Sequence, residues 1–250
     1  MKKIIFLLCN MLVSVVSAQT NTDLFEKGNT AYKNGNYQEA IEFYQQIETQ
    51  QLASSTLYYN LGNCFYKLNN VANTIYYYEK ALLVDPLNLD AQNNLEFAKR
   101  MTIDSIEELP KSFLQRLEKN YIQKFSYNQW ATIAIICSFL TAILFLLFYI
   151  SSISTKKRLY FISSIICLLL LIFTTSISYQ QYHWTLNNKT GIIFSPKVNI
   201  KNAPTENSND VFTLHEGTKI IILDSVDNWK KIKLADGKIG WILADELKVL

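Results

Sequence analysis

The chain has 250 residues, 49% of them hydrophobic, four cysteines and a formal charge of +3. That charge is too small to argue for nucleic acid, and no arginine-rich or aromatic-interleaved basic stripe supports such a partner. The cysteines fall singly in a leader (Cys9), a repeat helix (Cys64) and two long apolar runs (Cys137, Cys167), so neither a disulfide framework nor a metal site is expected. In chain order, residues 1–18 come first: two lysines, an apolar run from Ile4 to Val16 and the small-residue site Val16-Ser17-Ala18. They predict a secretory signal peptide cut before Gln19. Acylation of Cys9 is disfavoured because Leu7-Leu8 occupy positions that would need small residues.

From residue 22 the sequence matches itself at a period of 34: Gly28-Asn29 recurs as Gly62-Asn63, Tyr32-Lys33 as Tyr66-Lys67, Ile41 as Ile75 and Tyr44 as Tyr78. A small residue where two helices cross, large apolar residues nearby and Asp85-Pro86 as a stop describe a helix-turn-helix unit. Residues 19–101 thereby resemble the tetratricopeptide family, with helices expected near 22–34, 37–49, 55–68, 71–84 and a capping helix at 88–101. The resemblance implies a peptide- or protein-binding groove lined by the first helix of each repeat. Transferred by position, it holds Phe25, Glu26, Asn29, Tyr32, Lys33, then Tyr59, Asn60, Asn63, Tyr66, Lys67, then Asn93, Asn94 and Phe97. Asparagine amides suit an extended backbone and tyrosines give it apolar contact. The same residues would also appear if they only followed the repeat consensus. A carboxylate clamp is not expected: Asn29 and Asn60 match its asparagines, but Phe25, Asp90 and Asn94 stand at its basic positions.

Residues 102–129 form a linker in which Phe113, Leu117, Tyr121 and Phe125 recur every four residues beside Leu114 and Ile122, with Lys111, Arg116, Lys119 and Lys124 interspersed. This stripe fits a helix at a membrane surface or a last helix packed on the repeats. Trp130 to Ile150 and Leu159 to Ser178 are 21 and 20 residues without a charge, each long enough to cross ~30 Å of hydrocarbon. Tyr127, Trp130, Tyr149, Tyr160, Tyr179, Tyr182 and Trp184 mark the expected headgroup levels. Residues 151–158 carry Lys156, Lys157 and Arg158 and are expected as a cytoplasmic loop. With an exporting leader, both flanking domains are then placed in the periplasm. No ionisable residue lies inside either span, which favours an anchor over a transporter. Ser138, Thr141, Ser163, Ser164, Thr174 and Thr175 are candidates for hydrogen bonds between helices, within this chain or with partner subunits.

After Asn188 the pattern changes to period two, with turn signals at His215-Glu216-Gly217 and Ala235-Asp236-Gly237, and predicts five or six short strands. Val198 to Pro204, Leu214 to Thr218, Asn228-Trp229, Leu234 to Gly237 and Gly240-Trp241 resemble the bacterial SH3-like domain over residues 188–250; Lys201 and Ala203 depart from its usual arginine and glycine. Members of that family bind peptidoglycan, bind proteins, or only support a neighbour. Trp229 and Trp241 are candidate ligand platforms, although tryptophan in so small a barrel is expected in the core.

The fold class read from these features is a multidomain membrane protein: an all-α tetratricopeptide solenoid, a two-helix transmembrane hairpin and a small all-β SH3-like barrel. No catalytic residue or cofactor is expected. The two histidines, His183 and His215, have no serine or exported cysteine placed to be activated, Glu107-Glu108 reads as a solvated pair, and no phosphate-binding glycine loop occurs. The ordered combination resembles the BatE-type family of the bacterial aerotolerance (Bat) operon. That resemblance implies an inner-membrane scaffold working with membrane-anchored von Willebrand A-domain proteins and a cytoplasmic MoxR-type ATPase in oxygen or stress tolerance. The alternative is an envelope sensor or peptidoglycan-binding adaptor that recruits cell-wall enzymes.

Overall fold

The computed structural model describes residues 21–50, 52–107, 109–110 and 112–250, so the expected signal peptide lies outside the described residues. Two compact bodies result. One joins the repeat residues up to Val84 with Asn88–Glu107 and Thr190–Leu250; the other comprises Asp85–Leu87 and Glu108–Lys189.

In the first body, α1 (21–33) pairs with α2 (Tyr37–Glu48), α3 (Ser55–Lys67) with α4 (Val71–Val84), and α5 (Leu89–Lys99) closes the stack. Side-chain caps start α3 and α5: Ser54 accepts from the Leu57 N–H and Asn88 from the Ala91 N–H. The turn between α1 and α2 needs positive φ, supplied by Gly35 at +82°. Close approach of the paired helices explains Gly28 and Gly62, where a Cβ would stand 2.5 Å from the ring of Tyr44 or Tyr78. Those rings, with Ile41, Leu57, Leu61 and Ile75, are almost wholly buried and form the centre of the repeat core.

Residues 190–249 form a seven-stranded antiparallel sheet in the order β3-β2-β6-β5-β4-β1-β7. The strands are β1 (Thr190–Ile193), β2 (Lys197–Lys201), β3 (Asp210–His215), β4 (Lys219–Val226), β5 (Trp229–Lys233), β6 (Ile239–Leu243) and β7 (Leu247–Val249). Gly217 and Gly237 turn the chain at φ of +84° and +92°, and Asp227, at +49°, stands in the tight turn from β4 to β5. Ile193, Ile200, Ile220, Ile232 and Ile242 fill the interior.

The sequence pattern treats repeats and barrel as separate modules, but they share one body. Strand β1 shows why. Its alternating side chains are buried on both faces, Ile193 in the barrel core and Ile192 in the repeat core, where Phe194 and Leu250 also pack. A strand covered on both sides loses the apolar-polar alternation used to find strands, so period-two reading begins only at Val198. Polar contacts reinforce the joint. Lys219 Nζ meets Glu79 at 2.6 Å, and the Asp104 carboxylate accepts from the His215 backbone N–H at 2.6 Å and the Thr218 hydroxyl at 2.7 Å. Ile106, two residues on, packs against the barrel core.

In the second body, α7 (Tyr127–Ile150) and α8 (Ser154–Asn187) have peak mean hydropathies of 2.7 and 2.3 and are long and apolar enough to cross a membrane. The expected loop at 151–158 shrinks to 151–153: no helix breaker lies between Ser154 and Leu159, and Lys156, Lys157 and Arg158 fall within α8. Four of the hydroxyls expected to bond between helices turn to their own helix within this chain. Thr141, Ser164, Thr174 and Thr175 donate to carbonyls of their own helix, the common alternative for a hydroxyl in an apolar helix. Among the described residues, Ser178 donates across the pair to the Tyr127 carbonyl at 2.9 Å. The stripe before α7 is not one regular helix but α6 (Phe113–Leu117) followed by a π turn, Glu118–Ile122.

Candidate functional site

The repeat groove is built from helix positions with the same 34-residue offset as the sequence. Tyr44, on α2, donates its hydroxyl to Asn29 Oδ1 at 2.7 Å, and Asn60, on α3, donates its amide to the same oxygen at 3.1 Å. One period later Tyr78 donates to Asn63 Oδ1 at 2.7 Å and Asn94 donates to it at 2.9 Å. Each triad ties the first helix of one repeat, its second helix and the first helix of the next. Burial pushes the Tyr44 and Tyr78 hydroxyls well above their ordinary pKa, so both remain neutral donors. The asparagines expected to grip a ligand thus first hold the stack together.

Asn29, Tyr32, Lys33, Tyr44, Asn60 and Asn63 surround a cavity of about 130 Å³. That is below the ~300 Å³ at which pockets for whole small molecules begin. Tyr32 is held edge-on to Tyr37 at 5.3 Å, and Tyr59 lies 6.1 Å from the Tyr78 ring. Of the expected groove residues, Asn29, Tyr32, Lys33, Asn60 and Asn63 meet at this cavity. Tyr59, Tyr66 and Lys67 are not in its wall; Tyr66 and Lys67 are exposed near the end of α3, and Phe97 is exposed on α5. Reading from sequence missed the hydrogen-bonding roles of Tyr44, Tyr78 and Asn94. The signal was present, since 29, 44 and 60 become 63, 78 and 94 on adding the period.

Trp229 and Trp241, expected in the barrel core, are half-buried and lie outside its buried cluster. In β5 and β6 the buried positions are Ile232, Gly240 and Ile242, so the alternate residues Trp229, Lys231, Trp241 and Leu243 face outward. Cross-strand pairing sets Trp229 opposite Leu243, and Trp241 opposite Lys231 on one side and Lys201 on the other. Lys231 Nζ lies 5.9 Å from the Trp241 ring centroid, within cation–π range. Isoleucines occupy the interior instead because branched chains fit between two tightly curved sheet faces. Lys201 is paired with Asp210 at 2.9 Å. Among the described residues, no three His, Cys, Asp or Glu side chains gather as metal ligands would.

Comparison with known proteins agrees with this division of the chain. The bacterial SH3 domain family matches residues 196–248, and the tetratricopeptide repeat family matches residues 24–49 and 55–88. No curated protein matches. A solved structure titled "Arabidopsis OM64 TPR domain" is similar at 28% identity, with 33% of this chain and 68% of that one covered and a TM-score of 0.32. The family matches show that the chain carries tetratricopeptide repeats and a bacterial SH3 domain, both of them interaction modules that are typically non-catalytic.

Proposed function

We propose that this chain is a non-enzymatic inner-membrane scaffold, anchored by α7 and α8, that presents its repeat groove and barrel to protein partners in the periplasm. The observation carrying this reading is the groove itself. The triads fix its floor, while Lys33, Tyr66, Lys67 and Phe97 stay exposed for a partner. A floor already hydrogen-bonded pays little ordering entropy when a segment docks. The order of repeats, apolar hairpin and SH3 domain supports a place in a Bat-type assembly with von Willebrand A-domain membrane proteins, serving oxygen or stress tolerance. Because repeats and barrel are one body, a partner touching both gains effective concentration without a flexible tether.

The outward tryptophans favour a second reading, in which the barrel face binds peptidoglycan and the repeats recruit a wall enzyme. Mild-detergent capture of the intact chain, with mass spectrometry of what comes with it, tests the first. A-domain membrane proteins should be recovered, and a Tyr66→Ala/Lys67→Ala variant should lose them. Recovery of wall enzymes with saturable binding to purified sacculi would replace the scaffold reading with the second.

A further inference from the structure

Phe113, Leu114, Leu117 and Tyr121 are exposed at 70%, 74%, 40% and 67%, and no residue of α6 is buried. On α6, Phe113, Leu114 and Leu117 fall within an arc of about 100° at helical spacing, and Tyr121 follows on the π turn. The segment is nonetheless built rather than loose. Ser112 and Gln115 form a reciprocal capping box, and the Ile122 carbonyl at its other end accepts from Trp130 Nε1 at 3.0 Å and from Gln181 Nε2 at 2.7 Å. Phe125 stands edge-on to Trp130 at 5.4 Å, and Tyr127 edge-on to Tyr182 at 5.6 Å. The segment is therefore fixed at the Tyr127 end of the hairpin, beside tryptophan and tyrosine rings of the kind that sit at headgroup level.

We propose that residues 112–125 form a foot lying in the headgroup layer, with Phe113, Leu114, Leu117 and Tyr121 against lipid acyl chains. Lipid is favoured over a protein partner because the segment is fastened to a hairpin whose own apolar side chains, Ile135, Ile136 and Phe139 among them, are exposed. Arg116, Lys119 and Lys124 against one carboxylate, Glu118, also give the segment the charge that anionic headgroups attract. The proposal rests on α7 and α8 spanning a membrane, and its test separates the two.

The photo-cross-linking residue p-benzoylphenylalanine is placed singly at Leu114, at Phe139 within α7 and at Leu89, which is 67% exposed on the repeats. The full chain is reconstituted in phosphatidylethanolamine–phosphatidylglycerol vesicles and illuminated, and lipid adducts are read by mass spectrometry. Adducts at 114 and 139, at least tenfold above those at 89, are expected. An adduct at 139 alone overturns the foot and leaves the hairpin standing. No adduct at 139 overturns the spanning hairpin, and the foot with it. Adducts at 89 equal to those at 114 overturn a specific lipid contact.

Discussion

Asp104 and His215 lie 111 residues apart in sequence, yet the carboxylate of one accepts from both the backbone N–H and, at 2.8 Å, ring Nδ1 of the other. Burial pushes the Asp104 carboxyl up, but the hydrogen bonds from the His215 ring, Thr218 and the His215 backbone outweigh it and hold its pKa below the ordinary value. The segment leaving the last repeat is thus latched to the turn between β3 and β4.

Replacing Asp104 by Asn should destabilise the full chain in detergent by about 1.5–3 kcal/mol near neutral pH, the range for hydrogen bonds to a charged group. Since the folded state lowers this pKa, the latch contributes above the ordinary carboxylate value of ~3.9 and fades as pH falls through the lower folded value. Chemical unfolding of wild type and Asp104→Asn should therefore differ at pH 7 and converge in strong acid. A gap unchanged at low pH would show that the charge contributes nothing.

Stability and binding should separate in the groove. Tyr78→Phe removes the 2.7 Å bond to Asn63 and should cost about 1 kcal/mol in thermal unfolding. Exposed Lys67→Ala should stay within ~0.5 kcal/mol of wild type. A double-mutant cycle of Tyr78→Phe with Asn63→Ala should show coupling of at least ~0.5 kcal/mol, because the pair is in direct contact. Strict additivity would contradict the triad.

Gly62→Ala should destabilise by about 1–3 kcal/mol, because the new methyl would overlap the buried Tyr78 ring. The double variant Gly62→Ala/Tyr78→Leu should recover part of that loss in the same unfolding measurement, since it removes the clashing ring. An unaffected single variant would mean that the helices can separate at little cost.

In the barrel, Ile232→Ala should cost about 2–5 kcal/mol as a core truncation. Trp229→Ala and Trp241→Ala should each cost less and leave the β signal in circular dichroism intact. A tryptophan variant less stable than Ile232→Ala would return that ring to a supporting role.

For the proposed topology, reporters fused after Asn188 should behave as exported and those inserted at residues 151–153 as cytoplasmic. The opposite assignment at either position would remove the two-span reading.

The 34-residue period alone determined the repeat helices, because close helix crossings demand glycine at a fixed position facing a large ring. The two apolar runs and the period-two barrel were equally legible, since each follows from one face or one whole surface avoiding water. Only the tertiary structure decided how Asn29, Asn60 and Asn63 are used: a side chain amide can serve a ligand or a neighbouring helix, and the choice depends on a tyrosine hydroxyl arriving from another helix. The outward turn of Trp229 and Trp241 likewise depended on register, which assigns alternate residues to opposite faces and is set by pairing across the sheet. The union of repeats and barrel was the least legible feature. It depends on Asp104 meeting His215 and on Ile192 and Ile193 pointing into different cores, relations between residues distant in sequence or packed on opposite faces of one strand that no local pattern encodes.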